Sequence, residues 1–254
     1  MPNAIEVGHE GRVLTIVLQY PPLNILERAH IESLTGMLSP LQSDSAIDVV
    51  WIRADHTKAF CAGVSVADHL PERAPAMLAA FRRLSETMQR LPQVIVIEVF
   101  GSVLGGGLEL MILSDLVVAA DDARFGQPEI LLAATPPVGA ALLPARVGWQ
   151  EAARICLLGE TMDVGWAAQR GLVTRVAPRA QLKEAAQAVV DQVLKMSGPV
   201  LRATKRIMAG GSESAANAIN YGFDVYYSDV LPTQDSQEGI AAFLAKRPPR
   251  WQHR

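Results

Sequence analysis

Cysteine is nearly absent: the chain has two, Cys61 and Cys156. Two thiols far apart in sequence suggest neither a disulfide framework nor a metal cluster, and they fit a reducing cytoplasm. The five histidines (His9, His30, His56, His69, His253) are scattered and lack the close pairing of a helical zinc site, so no metal is expected. Neither sign of charge dominates. With 23 basic and 26 acidic residues the formal charge is −3, and no long run of one sign occurs. Such a balance gives no general footprint for nucleic acid or an anionic membrane, although it leaves room for a local basic pocket that takes one phosphorylated ligand. Long apolar runs are missing too. The longest are broken by Glu, Asp or Gly, which excludes a transmembrane helix. The opening residues, MPNAIEVGHEGRV, lack the basic–apolar–small order of a signal peptide.

What is present is enough to build a sizeable core. Half of the 254 residues are hydrophobic and 19% are charged, which suits one large domain or two small ones and not a disordered chain. Strand-like and helix-like patterns alternate through the first two thirds. Arg12–Gln19 reads as a strand, 28–42 as a helix and Ile47–Ala54 as a second strand. Residues 74–91 place Met77, Leu78, Phe81, Leu84, Met88 and Leu91 at helical spacing. Gln93–Phe100 is β-branched and reads as a buried strand; Leu116–Ala120 reads as another. Alternation of this kind means crossover connections and a largely parallel or mixed sheet. After about residue 178 the strand signal fades, and 179–195, 199–209, 213–230 and 234–246 all read as helices. That tail carries Tyr221, Phe223, Tyr226, Tyr227 and Phe243, which need a core or another subunit to cover them.

Three segments carry chemistry. In Gly101–Glu109, GSVLGGGLE, glycines join a buried strand to a helix. Glycine lets another group approach the backbone closely, and amides at a helix start point outward with partial positive charge, which suits a bound or developing anion. No Lys-Ser/Thr follows, so this is not a phosphate loop. A tight packing turn accounts for the glycines as well, but not for Glu109. That carboxylate sits among Leu108, Leu110, Met111, Ile112 and Leu113, where it is costly unless paired or functional, and desolvation raises its pKa toward the range useful for proton transfer. In Phe125–Glu129, FGQPE, Pro128 fits the first turn of a helix and Glu129 then lies near its start. A dipole-favoured carboxylate is the plain reading of Glu129 alone; two carboxylates in apolar sequence can divide acid and base work. In Lys58–Ser65, KAFCAGVS, Ala62-Gly63 can present a second backbone amide, or simply form a loop. Cys61 lacks a histidine partner and reads as a core-filling thiol.

Together these segments resemble the crotonase (enoyl-CoA hydratase/isomerase) superfamily. The resemblance runs through PPLNIL at 21–26, KAFCAG at 58–63, GSVLGGGLEL at 101–110, FGQPEILL at 125–132, LLGETMDVGWAAQRGLVTRV at 157–176 and EGIAAFLAKRPP at 238–249. It implies an α/β fold, a spiral of ββα units over 1–195 with a C-terminal helical region at 196–254 that trimerises. The assembly implied is a homotrimer or a hexamer made as a dimer of trimers. It also implies an acyl-CoA substrate, with coenzyme A as part of the thioester and no separate cofactor. By resemblance, the amides of Val64 and Gly106 match the two donors of an oxyanion hole that holds the thioester oxygen as an enolate forms. Glu109 matches the group that deprotonates water for attack at the β-carbon, and Glu129 the group that manages the proton at the α-carbon. Ala62, Val64, Val66 and Gly106 match the CoA-binding side of the site, and Phe243 and Lys246 match positions that hold the nucleotide.

The pair of glutamates points to a hydratase. Departures from the common pattern are Val64-Ser65 for Ala-Asp, Pro136-Pro137-Val138 for Pro-Gly-Ala, and Tyr20-Pro21 for Arg-Pro; Val64 and Pro137 are expected to reshape an acyl pocket that also includes Leu104 and Leu132. The combination of CAGV-x-VADHLPER, PPLN and FGQPEI most resembles the cyclohexa-1,5-diene-1-carbonyl-CoA hydratases, which carry Asp at the position of Ser65. Other crotonase reactions, isomerisation, thioester hydrolysis or C–C cleavage, are the alternatives. A non-catalytic RNA-binding homologue is disfavoured by the acidic balance and the lack of a basic stripe.

Overall fold

The computed structural model describes residues 5–55, 58–69, 73–132 and 134–210, and a few beyond: 234, 235, 238, 247, 248, 250–252 and 254. Its main sheet holds β1 (Ile5–Glu10), β2 (Val13–Leu18), β3 (Val49–Ala54), β4 (Val94–Val99), β6 (Leu116–Ala120) and β9 (Arg175–Ala177), side by side in that order. β1 and β2 form an antiparallel hairpin; every later pairing in this sheet is parallel. A second, three-stranded sheet holds β5 (Ser102–Leu104), β7 (Arg124–Gly126) and β8 (Thr161–Asp163).

The chain winds between these layers. From the main sheet β4 runs into β5 of the small sheet and then into α3 (Gly106–Ile112). β6 runs in the same way into β7, then into a 3-10 turn (Pro128–Leu132), α4 (Pro137–Val147) and α5 (Trp149–Leu158). The turn before these has the same design with less regular structure. β3 leads to Cys61, which bridges in parallel to Val103, and then to a 3-10 turn (Val66–His69) and α2 (Ala74–Arg90). Each turn is a ββα unit, so the chain has the spiral expected of the crotonase fold.

Parallel strands covered on both faces become continuous apolar runs, and all six residues of β4 are buried. α1 (Arg28–Leu38) and α2 pack together, α2 turning Met77, Phe81, Leu84 and Met88 inward. α7 (Leu182–Leu194) lies on β4, β6 and β3. α8 (Gly198–Gly210) is tied to the sheet by two ion pairs as well as by apolar packing of Leu201. Arg202 pairs with buried Asp48 just before β3, and Lys205 Nζ meets Asp115 Oδ2 at 2.6 Å just before β6.

Most expected elements are found within a residue or two. The expected helix 28–42 ends as α at Leu38 and continues as a 3-10 turn, Ser39–Ser43. The glycine-rich turn 101–107 contains β5, and the helix after it begins at Gly106 instead of Leu108. β1, β7, β8 and β9 were not expected from the sequence. The expected helix 213–230, nearly all of 234–246, and with them Tyr221, Phe223, Tyr226, Tyr227, Phe243 and Lys246, lie outside the described residues. Among the described residues, no helix is long and apolar enough to cross a membrane.

Candidate active site

Glycine geometry brings the loops together. Gly105 (φ 53°) is the N-cap of α3 and turns the chain out of β5, a backbone conformation that glycine adopts without strain. Gly107 lies directly against the Cys61 carbonyl, and a Cβ there would also meet Cys61 Cβ at 2.8 Å. α3 is therefore pressed onto the 61–64 segment. All seven of its residues are buried, Glu109 included at 3% exposure.

The 61–64 segment runs like a strand between two neighbours. On one side Cys61 N donates to Ser102 O at 3.2 Å and Leu104 N donates to Cys61 O at 3.0 Å. On the other, Leu26 N donates to Gly63 O at 2.9 Å and Ser65 N to Leu26 O at 2.8 Å, making Val64 the partner of Leu26 in a parallel bridge. In such a bridge both groups of Leu26 are used, and the N–H of Val64 points the opposite way. That way lies Gly105: a Cβ on it would stand 3.5 Å from Gly63 Cα, and a Cβ on Gly106 2.8 Å from Val64 Cγ2. Gly106 N belongs to the first turn of α3 and has no acceptor within its helix. With only seven residues in α3, its donor strength is that of the amide itself more than of a long helix dipole. Val64 and Gly106, from distant parts of the sequence, thus lie side by side.

Both residues line a cavity of about 410 Å³, together with Ala62, Val66, Glu109 and Glu129, among others. The candidate catalytic and CoA-side residues within the described range therefore line one space. Its walls are otherwise mostly apolar, with Met77, Leu78 and Phe81 from α2 and Pro137 from α4. Leu104 is not among the lining residues, contrary to expectation, because it lies in β5 with its side chain toward Gly126. Larger cavities beside α8 contain neither carboxylate of this pair.

Glu109 Oε1 accepts from Val138 N at 2.7 Å and Gly139 N at 2.9 Å, the first amides of α4. Pro136-Pro137 starts that helix, and proline at the first turn sacrifices no needed donor. Among the described residues Oε2 has no hydrogen-bond donor, so one oxygen is anchored while the residue lines the cavity. Burial pushes Glu109 up to about 7; the amide of Gly139 opposes this, the charge of Glu129 adds to it, and the amide of Val138 opposes it. Glu129 is carried by a 3-10 turn, not the α-helix that Pro128 suggested. A Cβ on Gly105 would meet Glu129 Oε1 at 2.9 Å, so glycine there leaves the space the carboxylate occupies. Hydrogen bonding assigns the amide nitrogen of fully buried Gln127 to the side facing Glu129, where it donates to both oxygens at 3.1 Å. Gln127 also lies against Gly139, linking the two carboxylate arms. Its position two residues before Glu129 was the available signal; the Val138 and Gly139 amides left none in side-chain pattern.

Cys61 is fully buried, and its thiol is pushed up to about 12 by burial, partly offset by a backbone hydrogen bond of Gly63. A thiol so reluctant to ionise is core, as the sequence suggested.

Glu109 and Glu129 thus share one largely apolar cavity on a ββα spiral. The sequence model of the enoyl-CoA hydratase/isomerase family matches residues 8–254, and the chain belongs to that family. It is 33% identical over 256 residues to a probable enoyl-CoA hydratase of Mycobacterium bovis, covering 99% of each chain. It is 29% identical over 254 residues to the cyclohexa-1,5-dienecarbonyl-CoA hydratase of Thauera aromatica, covering 100% of this chain and 98% of that one. The crystal structure of an enoyl-CoA hydratase from Bacillus anthracis superposes with a TM-score of 0.93 at 27% identity, covering 99% of this chain and 100% of that one.

Proposed function

We propose that the protein adds water across the 2,3 double bond of an enoyl-CoA thioester. The observation that carries this reading is Glu109: buried, anchored through one oxygen by two amides, and lining the same cavity as Glu129, Val64 and Gly106. The thioester oxygen sits between the N–H groups of Val64 and Gly106. As water attacks the β-carbon, charge moves onto that oxygen, where fixed donors in a water-poor site stabilise it better than solvent does. Glu109 takes the proton from the attacking water through its unanchored oxygen. Glu129, steadied by Gln127, delivers a proton to the α-carbon. No redox step occurs, and the thioester bond stays intact.

For the acyl group we favour a cyclic dienoyl thioester. The support is the 29% identity to the Thauera aromatica enzyme over the whole chain and the CAGV-x-VADHLPER stretch. The walls of Val64, Met77, Phe81 and Pro137 suit an apolar ring. A trimer or dimer of trimers is the assembly that fits this reading, and exposed Leu131, Leu157 and Leu158 offer apolar surface for it; light scattering at the mass of one subunit would contradict it.

The test is hydration of linear and alicyclic enoyl-CoA thioesters by Glu109→Gln and Glu129→Gln variants. Each is expected to lose roughly 10²- to 10⁴-fold in turnover, the range for a positioned acid or base. Undiminished turnover in both would remove the assignment.

A further inference from the structure

Asn24 is the one non-glycine residue with a positive φ, 51°, among the described residues, and it is completely buried. Left-handed backbone is uncommon outside glycine, although asparagine tolerates it better than most, and it is found where the surroundings fix it, often beside a functional site. The surroundings here are specific. Asn24 Oδ1 accepts from Tyr20 N at 2.6 Å, while Nδ2 donates to Phe60 O at 2.8 Å and Ala59 O at 3.2 Å. Its own N–H donates to Tyr20 O at 2.7 Å. The side chain thus closes the 20–24 turn on itself and clips it to the residues just before Cys61.

Main-chain bonds continue that attachment along the loop. Lys58 N donates to Pro22 O at 2.8 Å and Ala62 N to Leu23 O at 2.9 Å; the Leu26 bonds to Gly63 and Ser65 follow. The 22–26 segment is therefore the backing on which the 58–65 segment lies, and it is what turns the Val64 N–H away toward Gly106. If Asn24 relaxed to ordinary backbone, the register of that backing would shift, and the Val64 amide with it. A shift of about 1 Å in a positioned group can cost about 100-fold in rate.

Resting on the oxyanion-hole reading above, we propose that Asn24 is a positioning residue. It touches neither substrate nor carboxylate, but its strained turn and side-chain clip fix the Val64 amide at the distance from Gly106 that polarises the thioester carbonyl.

Two variants separate this role from plain support of the fold. Asn24→Gly keeps left-handed backbone accessible and removes the clip. Asn24→Asp keeps the acceptor for Tyr20 N and loses the donors to Ala59 and Phe60. The readout is the absorption band of a bound conjugated thioester, a 3-aryl-propenoyl-CoA, which moves to longer wavelength when its carbonyl is polarised. The wild type is expected to shift the band. Both variants are expected to keep the wild-type far-ultraviolet circular dichroism and to bind the thioester within about threefold, since Asn24 does not line the cavity. They should lose most of the band shift and about 100-fold in turnover, with KM little changed. If one variant does not fold, the other decides. A folded variant with the full band shift overturns the proposal, whatever its turnover. A wild type that binds without any shift overturns the oxyanion-hole reading and this inference together. A shift present in the wild type and lost in the variants supports Asn24 even if no water is added, in which case only the hydratase reading falls.

Discussion

Among the described residues two glutamates are buried, and their surroundings differ in instructive ways. Glu109 on α3 and Glu98 on β4 are 3% and 4% exposed, and burial pushes both up to about 7. Glu109 has one oxygen held by two amides and lines a cavity with a second carboxylate. Glu98 has no such arrangement. Among the described residues its buried Oε2 has no hydrogen-bond partner, and Arg53, Lys183, Arg179 and Asp55 act on it only at a distance. A raised carboxyl pKa is thus no mark of an active site by itself. What distinguishes Glu109 is a space for a ligand and donors that fix the carboxylate against it.

The largest effect expected from this contrast is on turnover. Glu109→Gln should lower hydration by about 10³-fold, while Glu98→Gln should leave it within about twofold, because in the proposed reaction only the first moves a proton at the reacting atoms. Steady-state rates on one enoyl-CoA thioester check both; equal losses would erase the contrast. Next comes the floor of the cavity. Gly106→Ala places a Cβ 2.8 Å from Val64 Cγ2 and 3.3 Å from the Phe81 ring, displacing the amide without touching either carboxylate. A loss of about 100-fold, comparable to removing one oxyanion donor, is expected, with the Glu109 pH dependence intact.

That pH dependence is the third effect. Glu109 acts as a base only when ionised, so kcat/KM should fall about tenfold per pH unit on the acid side of a limb near 7. A profile flat from pH 5 to 8 would contradict the role given to Glu109. The smallest effect concerns stability. For both glutamates the folded pKa is raised, so the folded protein retains a proton that the unfolded chain releases from about 4.5 upward. Stability is lost as pH rises through that window to about 7, and the full penalty applies above it. Glu98→Gln removes the penalty and should stabilise at pH 8 by on the order of 1–2 kcal/mol, less than the whole shift because the amide leaves an atom unpartnered. Urea unfolding at pH 8 and pH 4 checks this: the gain should vanish at pH 4.

Much of the site was legible in the sequence because its logic is local. Glu109 stands out as a carboxylate inside LEL and MIL, the glycines before it announce a close approach, and Cys61 lacks any partner that would activate it. Other parts depend on distant contacts. Leu26 and Gly63 orient the Val64 amide, and Gln127 and Gly139 meet across the two carboxylate arms. No spacing rule connects those residues. The strongly patterned elements, β4 and α2 above all, were read to within a residue or two. The short strands β7, β8 and β9 have three residues each, too few to display a period, and β1 is IEVGHE, which shows no clean alternation. Asn24 was visible as part of PPLN, but its positive φ and its grip on Ala59 and Phe60 appear only in three dimensions.

The most direct measurement is mass spectrometry of the product formed from a cyclic dienoyl-CoA and from a linear 2-enoyl-CoA in ¹⁸O-labelled water. The expected product of at least one gains the mass of one labelled water and keeps its coenzyme A. A product of unchanged mass, or release of free coenzyme A without hydration, would contradict the hydratase reading.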